Sequence, residues 1–310
     1  MAEVNANSLP AKTDLGTNDS AIVVDQTTNA GALVDLDVLA DKVLDRISSK
    51  TYANQVGGSS AATLLAQLST LNSKTVPHTL ESRNLTDWWY TGNGKAEVAA
   101  GNFTNVRPGD YIIGSSTGKK YWVVDLDYYY QHGSSSSFSK HHLTMMCAWN
   151  TGSQRMNETN TTTGSYVGSE MYTTHVPNVI STYLTPDFGS NLLTFPCMLG
   201  NTMTSNTARG NGLTGATTNR AWSDEQAILP GEVQVYGYQA YGTAYDTGNH
   251  EQQLAMFREY GYNKVVGRDS IWLRDVASSA FFANALYNGG VLINAASLPF
   301  GVRPLFVLGT

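Results

Sequence analysis

Charge is scarce in this chain. Only 14% of its 310 residues are Asp, Glu, Lys or Arg, against about 25% in an average soluble protein. Nineteen Lys and Arg stand against 25 Asp and Glu, for a net charge of −6. No basic stripe stands out, which argues against a nucleic-acid partner. Two cysteines, Cys147 and Cys197, are too few for a disulfide framework. Both lie in apolar runs, so buried free thiols are expected. No stretch approaches the roughly 18 apolar residues of a membrane span, and no membrane insertion is expected. The opening residues Met1-Ala-Glu-Val-Asn-Ala-Asn lack the positive and apolar regions of a secretory signal. The expectation is synthesis in the cytoplasm, with any exit by lysis or within a particle.

Gly, Ser, Thr, Asn and Tyr fill the space that charge leaves. That mixture suits a strand- and loop-rich protein with a neutral, hydrogen-bonding surface. It is also the composition of adaptable binding loops, because tyrosine offers a large contact area with few rotatable bonds. Tyrosine serves equally as an ordinary strand residue. The length allows a full core and more than one module.

Three parts are expected. Residues 1–56 form a polar arm with a short strand at Ala21-Ile-Val-Val-Asp and then a helix. That helix covers Asp35 to Ile47, with Leu36, Leu39, Val43 and Ile47 at steps of three and four and acids in its first turn. Residues 57–79 begin with the breaker Gly57-Gly-Ser-Ser. Ala61, Leu64, Leu68 and Leu71 follow at steps of three, four and three, the a/d seam of a short coiled coil. A lone helix of this length is marginal in water, so the seam needs partners. A parallel homotrimer is the favoured reading, and a single helix packed on the next domain is the alternative. Pro77 ends the helix.

Residues 80–310 read as one loop-dominated α+β domain. Trp88-Trp-Tyr, Tyr111-Ile-Ile, Tyr121-Trp-Val-Val-Asp-Leu-Asp, Leu143-Thr-Met-Met-Cys-Ala-Trp and Leu192–Leu199 are strand-like. Helices are expected from Ser165 or Ser169, at Asn178–Leu184 behind Pro177, and at Glu251–Arg258. Gln131-His-Gly-Ser-Ser-Ser-Ser, Thr159–Gly164, Arg209–Gly215 and the tyrosine- and glycine-rich stretch to Gly248 are loops.

The last forty residues are the most informative. Two apolar, strand-like pieces, Ile271–Val276 and Val302–Leu308, bracket a segment without steady periodicity. Each carries an arginine, Arg274 and Arg303. A buried arginine is costly unless paired, so clamping by carboxylates or backbone carbonyls is expected. A segment pinned at both ends leaves its middle free to recognise something; two core strands joined by a loop is the plain alternative. Asp125 and Asp127 sit two apart on one strand, which places both carboxylates on one face. They are assigned to clamp Arg274 or Arg303, with calcium binding through loop carbonyls as their other possible use. His141 and His142 point to opposite faces of a strand and cannot easily share an ion. A structural role is expected for them, and no metal or other cofactor.

Landmarks occur in a consistent order across residues 85–309: Phe103 through Asp110, Tyr121-Trp-Val-Val-Asp-Leu-Asp, His141-His-Leu-Thr-Met-Met, Tyr166-Val-Gly-Ser-Glu-Met, Leu229-Pro-Gly-Glu-Val-Gln-Val-Tyr-Gly, Trp272-Leu-Arg-Asp-Val and Gly301-Val-Arg-Pro. This order resembles a C-type-lectin-like domain common in bacteriophage structural proteins. The fold is similar to that of formylglycine-generating enzymes and of phage tropism determinants, whose C-terminal portion displays receptor-binding residues. The resemblance implies a phage fibre or spike located in the virion. Residues 1–56 would attach to other virion proteins, 57–79 would set a homotrimer, and 80–310 would bind a host-surface glycan or protein.

Formylglycine-generating enzymes use a closely spaced cysteine pair near the C-terminus, and no cysteine follows Cys197 here. The Glu-Pro-Asn and Trp-Asn-Asp motifs of calcium-dependent lectins are absent, as are Gly-x-Ser-x-Gly, P-loop and His-Glu-x-x-His motifs. A non-catalytic protein is expected. The candidate ligand-binding residues are Phe281, Phe282, Asn284, Leu286, Tyr287, Asn288 and Asn294, with Tyr241 and Tyr245 as second choices. Aromatic rings stack on sugar or peptide, and Asn offers donor and acceptor together; local packing is the alternative for each. Two rival functions stand beside host binding: a purely structural capsid or tail decoration, and a polysaccharide-degrading virion enzyme with carboxylates assembled across the fold.

Overall fold

The computed structural model describes residues 20–24, 31–35, 82–134, 137–203, 216–247 and 251–310. The chain divides into two compact units, Met1–Thr75 and Val76–Thr310. In the first, β1 (Ser20–Val24) pairs antiparallel with β2 (Gly31–Asp35), from Ser20↔Asp35 to Val24↔Gly31. Asp35 thus closes a strand. The rest of the helix expected there, the arm before Ser20 and the seam of Ala61, Leu64, Leu68 and Leu71 lie outside the described residues.

The second unit is α+β, mostly sheet with short helices. Its first elements are α1 (Thr86–Tyr90) and α2 (Gly94–Ala99). Trp88-Trp-Tyr is therefore helical, not a strand. The Asn84 side chain decides this locally, accepting from the Thr86 N–H at 3.0 Å and its hydroxyl at 2.5 Å. Such a turn at an Asn competes with extended backbone.

One sheet runs β10 (Ala227–Ile228), β15 (Leu305–Leu308), β5 (Leu143–Cys147), β4 (Lys120–Leu126) and β3 (Tyr111–Ile113), with β7 (Leu192–Leu193) also paired to β15. Every residue of β5 and β15 is buried, as expected of strands covered on both faces, which read as continuous apolar runs. A second sheet runs β13 (Val291–Ala295), β12 (Phe281–Ala285), β11 (Ile271–Val276), β14 (Phe300–Gly301) and β6 (Ser153–Gln154). A two-stranded ribbon pairs β8 (Phe195–Met203) with β9 (Thr217–Glu225). The segment between the arginine-bearing strands is thus a β-hairpin, β12–β13, rather than irregular chain. Arg274 lies within β11, whereas Arg303 lies outside any strand, in the link from β14 of the second sheet to β15 of the first.

A single helix, α3 (residues 171–188), replaces the two expected on either side of Pro177. Proline lacks an N–H, and its ring collides with the carbonyl four residues back. The helix widens just ahead of each proline: the Val176 N–H reaches the Met171 carbonyl, and the Thr185 N–H reaches that of Ile180, five residues away. Pro177 and Pro186 are thereby absorbed without a break. Further short α-helices among the described residues are α4 (Glu232–Tyr236), α5 (Ala255–Tyr260) and α6 (Tyr262–Val265). α5 begins four residues later than expected. Trp89, Tyr121, Phe195, Trp272, Phe282 and Phe306 are fully enclosed in the core.

Candidate ligand-binding face

β11 is buried along its whole length, and Arg274 within it is 1% exposed. Its Nη2 lies 2.5 Å from both carboxylate oxygens of Glu251. Nη1 donates to the Leu229 carbonyl at 3.1 Å and to Gln234 Oε1 at 2.6 Å. A Cβ at Gly231 would stand 2.9 Å from the guanidinium carbon, so only glycine fits beside it. Arg303, just before β15, donates to Asp269 Oδ2 at 2.5 Å and to Asn150 Oδ1 at 2.8 Å.

Neither arginine uses Asp125 or Asp127, and that assignment is corrected. Asp125 accepts the N–H groups of Leu126 and Ala255, both at 2.8 Å. Asp127 lies past the end of β4 with φ 53°, and pairing in β4 shifts register between Val123 and Asp125. The two-residue alternation that would align the carboxylates is broken. Asp127 instead holds the His141 Nδ1 at 2.6 Å and the His142 N–H at 2.7 Å. His142 accepts the Tyr129 N–H on Nε2 at 3.1 Å, which leaves its Nδ1–H for the Lys140 carbonyl at 2.9 Å.

Beside Arg274, three buried acids converge under one loop. Asp275 Oδ2 accepts the Glu232 N–H at 2.7 Å. The Glu232 carboxylate accepts the N–H groups of Ala240, Tyr241 and Gly242 at 3.0, 3.1 and 3.0 Å. Asp246 accepts the Thr217 hydroxyl at 2.5 Å and the Thr243 N–H at 2.7 Å. A Cβ on Gly242 would lie 2.8 Å from Asp275 Oδ1 and 3.2 Å from Asp246 Oδ2. Burial pushes all three carboxyls up: Glu232 above its usual range, Asp246 to about 6, and Asp275 well up, the last also through the neighbouring Glu232 and Asp246 charges. The cluster therefore keeps protons at pH values where an exposed Asp has lost its own.

This cluster is the underside of a display. The loop it pins carries Tyr238, Tyr241 and Tyr245, of which Tyr238 is 57% and Tyr245 45% exposed. The tip of the β12–β13 hairpin lies alongside. Tyr236 donates its hydroxyl to Gly290 at 3.0 Å, and its ring centroid is 6.2 Å from that of Tyr238. Tyr287 is 59% exposed, and its N–H is held by Ser270 Oγ at 3.0 Å. Asn288 Oδ1 accepts the Gly290 N–H at 3.0 Å and shapes the turn. Two large aromatic rings, with a tip asparagine, thus project from backbone fixed on several sides.

The candidate residues divide along the hairpin. Tyr287 and Asn288 are exposed at its tip, and Leu286 beside them is half-buried. Phe282 and Asn284 are fully buried and belong to the core, so they are removed from the candidate face. Phe281 and Asn294 are half-buried towards the far end, and Asn294 donates to Asn284 Oδ1 at 2.8 Å. Tyr241 is half-buried and Tyr245 exposed. Tyr236 and Tyr238 join the face although sequence reasoning passed over them. Their signal was their place at the start of the same tyrosine- and glycine-rich stretch.

Among the described residues, no group of three His, Cys, Asp or Glu side chains is arranged to hold a metal ion, and no helix is long and apolar enough to cross a membrane. No protein-family profile, curated protein or solved structure matches the chain.

Proposed function

We propose that the Val76–Thr310 unit is a non-catalytic binding head and that its exposed tyrosine face recognises a host-surface glycan or protein. One observation carries the reading: Tyr238 and Tyr287 present large exposed rings on backbone held from beneath by Glu232, Ser270 and Gly290. Ordering costs oppose binding, and a pre-fixed aromatic surface avoids most of them. The ordered landmarks that resemble C-type-lectin-like phage proteins supply the wider context. In it, the chain is a homotrimeric fibre or spike of a virion, anchored through its N-terminal region.

Adsorption of particles or of purified protein to host cells tests the face. Tyr238→Ala with Tyr287→Ala abolishes adsorption while the melting temperature stays that of the parent. Unaltered adsorption by the double variant would leave surface decoration as the better account.

A further inference from the structure

We propose that a separate cleft between α3 and the start of β6 binds a neutral, hydroxyl-rich ligand about the size of one sugar ring. The cleft measures about 170 Å³ and is lined on one side by His175, Asn178, Thr182 and Tyr183 and on the other by Thr151 and Gln154. Val179 and Val302 give it an apolar floor. It shares no lining residue with the tyrosine face and stands independently of the function proposed for that face.

Three features point to this ligand class. First, the walls are fixed. Thr151 donates both its N–H and its hydroxyl to the Val302 carbonyl at 2.9 Å, and the Tyr183 and Trp149 rings meet in a T-shaped pair with centroids 5.6 Å apart. His175, Asn178 and Thr182 line up along one face of α3 because they are spaced three and four apart. Second, hydrogen-bonding groups line the cleft. Asn178 and Thr182 are exposed and Gln154 is half-buried, so their amides and hydroxyl are offered to the cleft they line, whereas the buried His175 Nε2 faces Glu170 Oε1 at 3.6 Å.

Third, the lining carries no charge. Burial lowers the His175 pKa against the opposing pull of Glu170, which favours the neutral ring. Its charged neighbour Glu170, 3.6 Å away, is engaged by Arg155 at 3.0 Å. A phosphate, carboxylate or cation would find no counter-charge here. Amides, hydroxyls and one aromatic ring are what a saccharide hydroxyl ring requires. The volume is below the roughly 300–1,000 Å³ of sites for larger ligands, so one ring fits rather than a peptide.

Saturation-transfer NMR titrations with the methyl glycosides of glucose, galactose, mannose and N-acetylglucosamine test this on the full chain. At least one binds saturably. Asn178→Ala with Thr182→Val, both exposed positions, weakens it about tenfold, the loss expected for two hydrogen bonds. Tyr238→Ala with Tyr287→Ala leaves it unchanged. Absence of saturable binding by all four sugars would overturn the proposal, as would binding unaffected by the cleft variant. Binding lost only in the tyrosine variant would overturn it too, while favouring the tyrosine face.

Discussion

The Tyr236 hydroxyl and the Gly290 carbonyl are joined at 3.0 Å, and this bond fastens α4 to the tip of the β12–β13 hairpin. The two strips of chain that carry exposed rings are therefore not independent. Tyr236→Phe removes the link and keeps the ring. Host adsorption weakens by about fivefold, the worth of one hydrogen bond, with little change in melting temperature. Adsorption assays beside a thermal melt check this, and a fall in stability without a fall in adsorption would separate the two strips.

The Arg274–Glu251 pair is nearly inaccessible to solvent on both sides. Glu251→Gln leaves a buried cation without its counter-charge and costs about 3–5 kcal/mol. Arg274→Met with Glu251→Leu removes both charges and costs less. Urea denaturation midpoints of the two variants check the order.

Phe282 and Tyr287 behave oppositely. Phe282→Ala empties part of the core and lowers stability by about 3–5 kcal/mol, yet its folded fraction adsorbs as the parent does. Tyr287→Ala leaves stability unchanged within about 0.5 kcal/mol and weakens adsorption. Paired melts and binding curves decide between a patch along the hairpin and one at its tip.

Asp246 makes stability fall as pH rises. Its carboxyl is held at about 6 in the fold against an ordinary 3.8. Between those values the unfolded chain ionises while the folded one keeps its proton, so free energy is lost through that window and stays lost above it. The loss reaches about 3 kcal/mol. Glu232 and Asp275, also raised, add in the same direction. Asp246→Asn flattens the trend, so the stability difference between parent and variant changes between pH 4 and pH 6 and is steady at higher pH. Denaturation curves across that range measure it.

Cys147 and Cys197 are buried and unpaired, and burial raises both thiols. The thiolate is the reactive form. A thiol reagent therefore titrates neither in the native protein and both in denaturant.

Wholly buried strands were plain in the sequence because continuous apolar runs such as Leu143–Cys147 and Leu305–Leu308 need no periodicity to stand out. Phe281–Ala285 was hidden for the same physical reason: four of its five residues are buried, so Asn and Ala appear where alternation would have signalled a strand. The need to pair Arg274 and Arg303 followed from desolvation cost alone. Their partners did not, because Glu251 and Asp269 lie 23 and 34 residues away and nearer-looking carboxylates were already engaged by backbone. At the candidate face, Tyr287 and Asn288 differ from Phe282 and Asn284 only by position along one hairpin, which composition does not report. Tyr238 was overlooked beside Tyr241, although Glu232 draws the Tyr241 N–H inward and leaves Tyr238 outside.

β15 sits in the interior of the first sheet, between Ala227–Ile228 and Leu143–Cys147. Its neighbour β5 therefore waits, with one flank open, until some 160 further residues have been made. Loop closure over that separation is slow, and an apolar flank left open during the wait is a template for wrong pairing. This topology predicts that the Val76–Thr310 unit closes late and that a chain truncated before Leu305 aggregates rather than folding as a smaller domain.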